Sequence, residues 1–213
     1  MPLLCFDLDN TLISSTKAHV KAFQKAFAKN NLPKKKEKDI IKYFSLESSQ
    51  VVKKLYPKIS EEQKKKIVKD HDYFVIHKTI KEIKEIPGAT KTLKILKKDY
   101  ELAILSNSKH KEIVRFLKAA GLKKSFFNII IGNDDVKHPK PAPDEIIKAE
   151  QLLKLNDGYI IGDSIYDIRA GKKAKVKTIA VLTGDHTKKQ LQKEKPWKIL
   201  PSIKDLPKLL RNT

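Results

Sequence analysis

The 213-residue chain holds one cysteine, Cys5, so an intramolecular disulfide is impossible and a disulfide-stapled scaffold is excluded. Cys5 lies inside an apolar run and reads as a small buried hydrophobe. No apolar run approaches the roughly 18 residues of a membrane-spanning helix. The chain passes from Met1-Pro2 directly into a strand-like run, with no basic lead and no cleavage site, which points to the cytoplasm and to no membrane partner. Arginine is almost missing: among 46 basic residues it stands only at 115, 169 and 211. Aromatics are sparse, at 7%, and are not interleaved with the lysine clusters. These two shortages bear on the net charge of +21. A nucleic-acid or other polyanionic partner is one reading of that charge. A lysine-biased composition on solvated surface is the other. Specific phosphate and base recognition draws on the Arg fork and on aromatic stacking platforms. The pattern therefore favours composition and leaves nucleic acid open as the lesser alternative.

What is present is an ordinary core: 40% of the residues are hydrophobic, enough for one good-sized domain or a domain with an insertion. Five short runs read as strands, at 3–7, 102–106, 129–132, 159–162 and 178–181. Each is apolar almost throughout, the mark of a parallel sheet covered on both faces. Helical periodicity separates the later runs. Ile113, Phe116, Leu117 and Ala120 precede the stop Gly121, and Ile146, Ile147, Ala149, Leu152 and Leu153 form a second stripe. Strand–helix alternation implies βαβ units and a doubly wound sheet. The proline-containing tail, 196–207, is expected to wrap over the core before a last short helix.

Residues 14–82 break the alternation and show only helical signals. Ala18, Ala22, Phe23, Ala26 and Phe27 form one stripe; Ile40, Ile41 and Phe44 a second; Val51, Val52 and Leu55 a third. Ser60 with Gln63 fits an N-cap and capping box ahead of one or two more helices. This segment is the more basic part of the chain. The expected organisation is an α/β core, 1–13 and 83–213, with a small all-helical insertion, 14–82.

The chemistry-bearing residues stand at strand ends. Asp7 and Asp9 close the first run, two residues apart and on one side of the chain. Two like charges held that close need a cation or a proton. Ser106-Asn107 closes the second run, and Gly162-Asp163-Ser164 the fourth, with Asp167 four residues beyond Asp163. Lys140 stands in the loop after the third run, between Pro139 and Pro141. In open α/β sheets, sites form at the carboxyl ends of the strands, so these groups converge on one crevice. The six histidines follow no ligand spacing and read as surface or structural residues.

In their order along the whole chain, Asp7-x-Asp9-x-Thr11, Ser106-Asn107, Lys140-Pro141 and Gly162-Asp163-Ser164-x-x-Asp167 resemble the four motifs of the haloacid dehalogenase superfamily of phosphotransferases. The helical insertion is similar to the cap of its phosphoglycolate-phosphatase-like branch. The resemblance implies a Rossmann-like doubly wound parallel sheet with a small all-helical cap inserted after the first strand. It implies a Mg²⁺-dependent phosphoric monoester hydrolase acting on a small phosphorylated metabolite, as a monomer or homodimer. Asp7 would be the nucleophile and Asp9 the general acid/base. Mg²⁺ would be held by Asp7, Asp163 and the Asp9 main-chain carbonyl, with Asp167 behind them, acting through water or by pairing with Lys140. Thr11, Ser106, Asn107 and Lys140 would bind the phosphate, Ser106 and Lys140 also stabilising charge as it transfers. The presence of Asp9 argues for phosphate esters and not for dehalogenation. Phosphoglucomutase-type transfer, a nucleic-acid-end phosphatase and a nucleic-acid-binding protein are the alternatives. Hinges are expected near 13–15 and 82–87, and a specificity loop at 43–49. The basic insertion would favour an anionic leaving group. One departure is Lys175, where relatives carry a Gly that ends a helix in a left-handed turn; Lys there costs about 1 kcal/mol or alters the turn.

Overall fold

The computed structural model describes residues 1–211. Its strands are β1 (Leu3–Phe6), β2 (Ile13–Ser14), β3 (Lys84–Glu85), β4 (Glu101–Ser106), β5 (Ile129–Gly132), β6 (Gly158–Gly162), β7 (Lys177–Val181) and β8 (Lys198–Leu200). Six of them form one parallel sheet in the order β5-β4-β1-β6-β7-β8. β1 lies between β4 and β6, where the chain's winding reverses direction. Such a reversal opens a crevice beyond the carboxyl ends of the central strands.

The continuous apolar runs follow from burial on both faces. Leu4 and Phe6 of β1 join one core with Leu102, Ile104, Ile161 and Ile179. Leu3 and Cys5 join another with Ala103, Leu105, Ile131 and Ile160. Helices cover both sides. They are α1 (Thr16–Lys29), α2 (Glu37–Ile41), α3 (Ser48–Leu55), α4 (Glu61–Phe74), α5 (Ala89–Leu96), α6 (His110–Ala120), α7 (Asp144–Leu153), α8 (Ile165–Ala174), α9 (Lys188–Lys193) and α10 (Leu206–Arg211). Ile113, Phe116 and Leu117 of α6 pack on the first face; Ile146 and Ala149 of α7 and Ala170 of α8 pack on the second.

α1 to α4 form the insertion, followed by a wide helical turn at Val75–Thr79 and a tight one at Ile80–Glu82. The chain leaves and rejoins the core through β2 and β3, which pair antiparallel at Ile13 with Glu85 and Ser14 with Lys84. Val20, Phe23, Phe27, Ile40, Val52 and Ile67 make a separate apolar cluster in the insertion. Ala18 and Ala22, on the same helix, instead join the main core. α1 therefore serves two cores from two sides.

Three elements go beyond the sequence reading. β8 comes from the tail, which adds an edge strand to the sheet before α10. β2 and β3 occupy the segments expected to be hinges. Lys175 keeps the left-handed turn at the end of α8, with φ 62°, so the turn survives without glycine. No helix among the described residues is long and apolar enough to cross a membrane.

Candidate active site

β1 ends at Phe6, and the chain then makes a tight turn. The backbone N–H groups of Thr11, Leu12 and Ile13 all donate to the Leu8 carbonyl, and Asn10 adopts φ 57°. Asn is among the few residues that tolerate this region. The turn presents Asp7 and Asp9 to the crevice, while Asn10 is tied by its side-chain amide to Thr16 at 2.8 Å and Asp185 at 3.1 Å.

Lys140 reaches the crevice from the loop between β5 and α7, where the Lys140–Pro141 peptide is cis. Its ammonium lies 2.7 Å from Asp7 Oδ1, 2.8 Å from Asp167 Oδ1 and 2.8 Å from the Leu105 carbonyl. All three charged groups are buried. Burial alone would lower the Lys140 pKa, but Asp167 and Asp7 outweigh it and hold the ammonium charged. Asp167 is fully engaged: its other oxygen accepts from the Ser164 N–H at 3.1 Å and the Ser164 hydroxyl at 2.6 Å. Ser164 also caps α8, accepting from Tyr166 and Asp167 N–H groups. Gly162 makes room for this packing, since a Cβ there would lie 2.3 Å from Asp167 Cγ.

Asp7, Asp163 and Asp167 each offer a carboxylate oxygen within 4.8 Å of the others. Burial first, then mutual repulsion, raises the pKa of Asp163 well above the carboxylate range. Asp7 is raised for the same reasons despite Lys140. Charge is therefore under-compensated at this point. A set of buried oxygen donors with excess negative charge fits a hard divalent cation. Gly184 crowds the far side: a Cβ there would fall 1.7 Å from Asp163 Oδ2.

Asp9 is turned away from that cluster. Its carboxylate accepts from the Ser15 hydroxyl and from the Ser108 hydroxyl at 3.3 Å. Burial raises its pKa, opposed by the Ser15 bond, Lys140 and the Ser108 bond. Ser15 stands at the N-cap of α1 yet makes no capping bond. Its hydroxyl serves Asp9 instead, forgoing about 1 kcal/mol of helix stability.

Ser106 is fully buried and its hydroxyl accepts from the Ser108 N–H at 3.1 Å. Asn107 lines the pocket, and its amide bridges two segments, donating to the Ser45 carbonyl of the insertion and the Lys140 carbonyl of the core, both at 3.1 Å. Thr11 departs from expectation. It is fully buried and its hydroxyl donates to Asp7 Oδ2 at 3.1 Å, behind the carboxylate and away from the pocket lining. It orients Asp7 where substrate contact was expected.

The histidine reading also needs correction. His19 lines the pocket, buried, with Nε2 3.8 Å from Asp9 Oδ1 and no hydrogen-bond partner. Its Nδ1 meets His71 Nε2 at 3.1 Å, and His71 Nδ1 meets Asp72 at 3.1 Å. Burial, aided by His71, lowers the His19 pKa to about 3, so the ring is neutral. The insertion also contributes Phe23, Phe44, Ser45, Leu46 and Ser48 to the lining, which includes the expected specificity loop. No Lys or Arg of the insertion lines the pocket.

A family model described as haloacid dehalogenase-like hydrolase matches residues 4–181. A pyrophosphatase PpaX of Listeria welshimeri is 31% identical, over 98% of this chain and 96% of its own. A phosphoglycolate phosphatase of Aquifex aeolicus is 29% identical, over 100% of this chain and 98% of its own. The crystal structure of a hydrolase from Pseudomonas syringae superposes with a TM-score of 0.88 at 25% identity, covering 100% of this chain and 99% of that one.

Proposed function

The chain belongs to the haloacid dehalogenase-like hydrolases and is a phosphatase, and from that premise we propose that it hydrolyses a small phosphate monoester through an aspartyl-phosphate on Asp7. The observation that carries this reading is the unequal treatment of two neighbouring carboxylates. Asp7 is held at both oxygens, by Lys140 and Thr11, inside the charged cluster. Asp9 is held by hydroxyls on the other side. Different surroundings fit them to different work.

In the first step an Asp7 oxygen attacks phosphorus in line, and the bond from phosphorus to the ester oxygen breaks. Protonated Asp9 gives its proton to the departing oxygen. In the second step Asp9 takes a proton from water, whose oxygen attacks phosphorus and frees the Asp7 carboxylate and phosphate. Lys140, the Ser106 hydroxyl and nearby backbone N–H groups stabilise charge on the transferring oxygens. Asp7, Asp163 and the Asp9 carbonyl would hold Mg²⁺, which supplies positive charge at the phosphoryl group when bound. Asp167 acts behind them by fixing Lys140. Residues 14–82 serve as a cap, attached at β2 and β3, which covers the site and excludes water during attack.

The test is chemical trapping. Asp9→Asn should slow the second step, so acid-quenched enzyme incubated with Mg²⁺ and p-nitrophenyl phosphate should carry phosphate on Asp7. Absence of an adduct, together with normal turnover by Asp7→Asn, would sink the mechanism. Phosphoglycolate and pyrophosphate, suggested by the names of the relatives, belong in the first substrate panel.

A further inference from the structure

Several lysines of the insertion are held away from the pocket. Lys17 and Lys21 pair with Glu82, Lys29 with Asp70 and Lys64 with Glu61. Lys25, Lys34, Lys35, Lys78 and Lys81 line an outer groove with Lys21. The wall that the insertion turns to the pocket is His19, Phe23, Phe44, Ser45, Leu46 and Ser48. The pocket as a whole sets four carboxylates, Asp7, Asp9, Asp163 and Asp167, against one ammonium, Lys140, which is already shared by two of them. A divalent cation would still leave that balance negative before substrate arrives. The phosphoryl group then adds its own negative charge. Among the described lining residues no cationic side chain besides Lys140 is there to meet a second anion.

His19 adds a second, independent constraint. Asp72 is paired with Lys109 at 2.5 Å and stands 3.1 Å from His71 Nδ1. His71 Nε2 in turn lies 3.1 Å from His19 Nδ1. His19 Nε2 is left without a partner, next to Asp9. An unpartnered ring nitrogen there can pair with a hydroxyl. Ser45, Ser48 and Asn107 complete a neutral polar lining, and the enclosed cavity is only about 40 Å³.

Resting on the phosphatase reading above, we propose that the leaving group is a small uncharged alcohol bearing a further hydroxyl, and not one that carries its own carboxylate or phosphate. The experiment is a matched series with Mg²⁺-loaded enzyme: glycerol phosphate, p-nitrophenyl phosphate, phosphoglycolate and pyrophosphate. The kcat/KM for glycerol phosphate should exceed those for phosphoglycolate and pyrophosphate at least tenfold. Equal or reversed values overturn the proposal while leaving the phosphatase reading intact. No turnover of any of the four overturns the phosphatase reading, and the proposal with it. Ser48→Lys should then move the ratio at least tenfold towards phosphoglycolate; an unmoved ratio in a folded variant overturns the role given to the uncharged wall.

Discussion

The sheet side of the pocket presents Asp7, Asp9, Lys140, Asp163 and Asp167, whereas the insertion side presents aromatic rings, two serines, a leucine and a neutral histidine. The same insertion is crowded with lysines on its outer faces. Net charge therefore says little about the site. Where a side chain must be desolvated, charge is admitted only with a partner, as with Lys140 between Asp7 and Asp167. Where it stays in water, lysine is nearly free to accumulate. On the proposed mechanism the sheet side would hold the chemistry, and the insertion side would select the alcohol that leaves.

Substitutions on the two sides should separate along the same line. Asp7→Asn, on the sheet side, should lower kcat for p-nitrophenyl phosphate about 10³-fold or more, with the fold retained by circular dichroism. Comparable turnover by that variant would mean the charged side is not the reacting side. A pH series tests the same charges through stability. The folded-state pKa of Asp7 is raised from 3.8 to about 8, chiefly by burial. A raised carboxyl pKa means the folded protein binds more protons than the unfolded one, so stability falls as pH rises across that interval. Urea midpoints of chelator-treated protein should thus decline from pH 5 to pH 8, and Mg²⁺ should restore more at pH 8 than at pH 5. On the insertion side, Phe44→Ala removes a ring that stands edge-on to His19. It should change kcat/KM by about tenfold, the scale of one apolar contact. The smallest effect belongs to the outer surface. Reversing Lys34, Lys35 and Lys36 to Glu should alter kcat/KM less than about twofold at physiological salt, because exposed charge is screened over about 8 Å. A large drop would bring the outer lysines back into the argument.

The parts legible in the sequence were those where burial and charge collide. An apolar run ended by a carboxylate is rare enough to announce itself, and Asp7 and Asp163 stood out on that basis, whereas Lys140 stood out by its place between two prolines and by the family resemblance. The five central strands were recognised because each is apolar on both faces. β2 and β3 were missed as strands because two residues hold no periodicity. β8 was read as irregular tail, since an edge strand of three residues flanked by prolines carries almost no pattern. His19 was hidden for a different reason. It falls on the buried stripe of α1, one turn after Ser15 and one before Phe23, where a histidine looks like any packed residue. Its pairing with His71 spans 52 positions, a separation that no local pattern can report. Ser15 and Ser108 escaped because a serine at a helix start or strand end ordinarily caps, and here both hydroxyls turn to Asp9.

The ribbon of β2 and β3 has a consequence for how the molecule can be remodelled. Its two strands pair with each other and with no strand of the six-stranded sheet. Everything between Ser14 and Lys84 is thus one detour that returns beside its own point of departure. A detour whose ends already touch can be lengthened, shortened or exchanged at little closure cost. Any replacement need only re-cover the core face now shielded by Ala18, Ala22 and Val75. On the proposed mechanism, selectivity would in this sense be a detachable component, with the reacting groups staying put on the sheet.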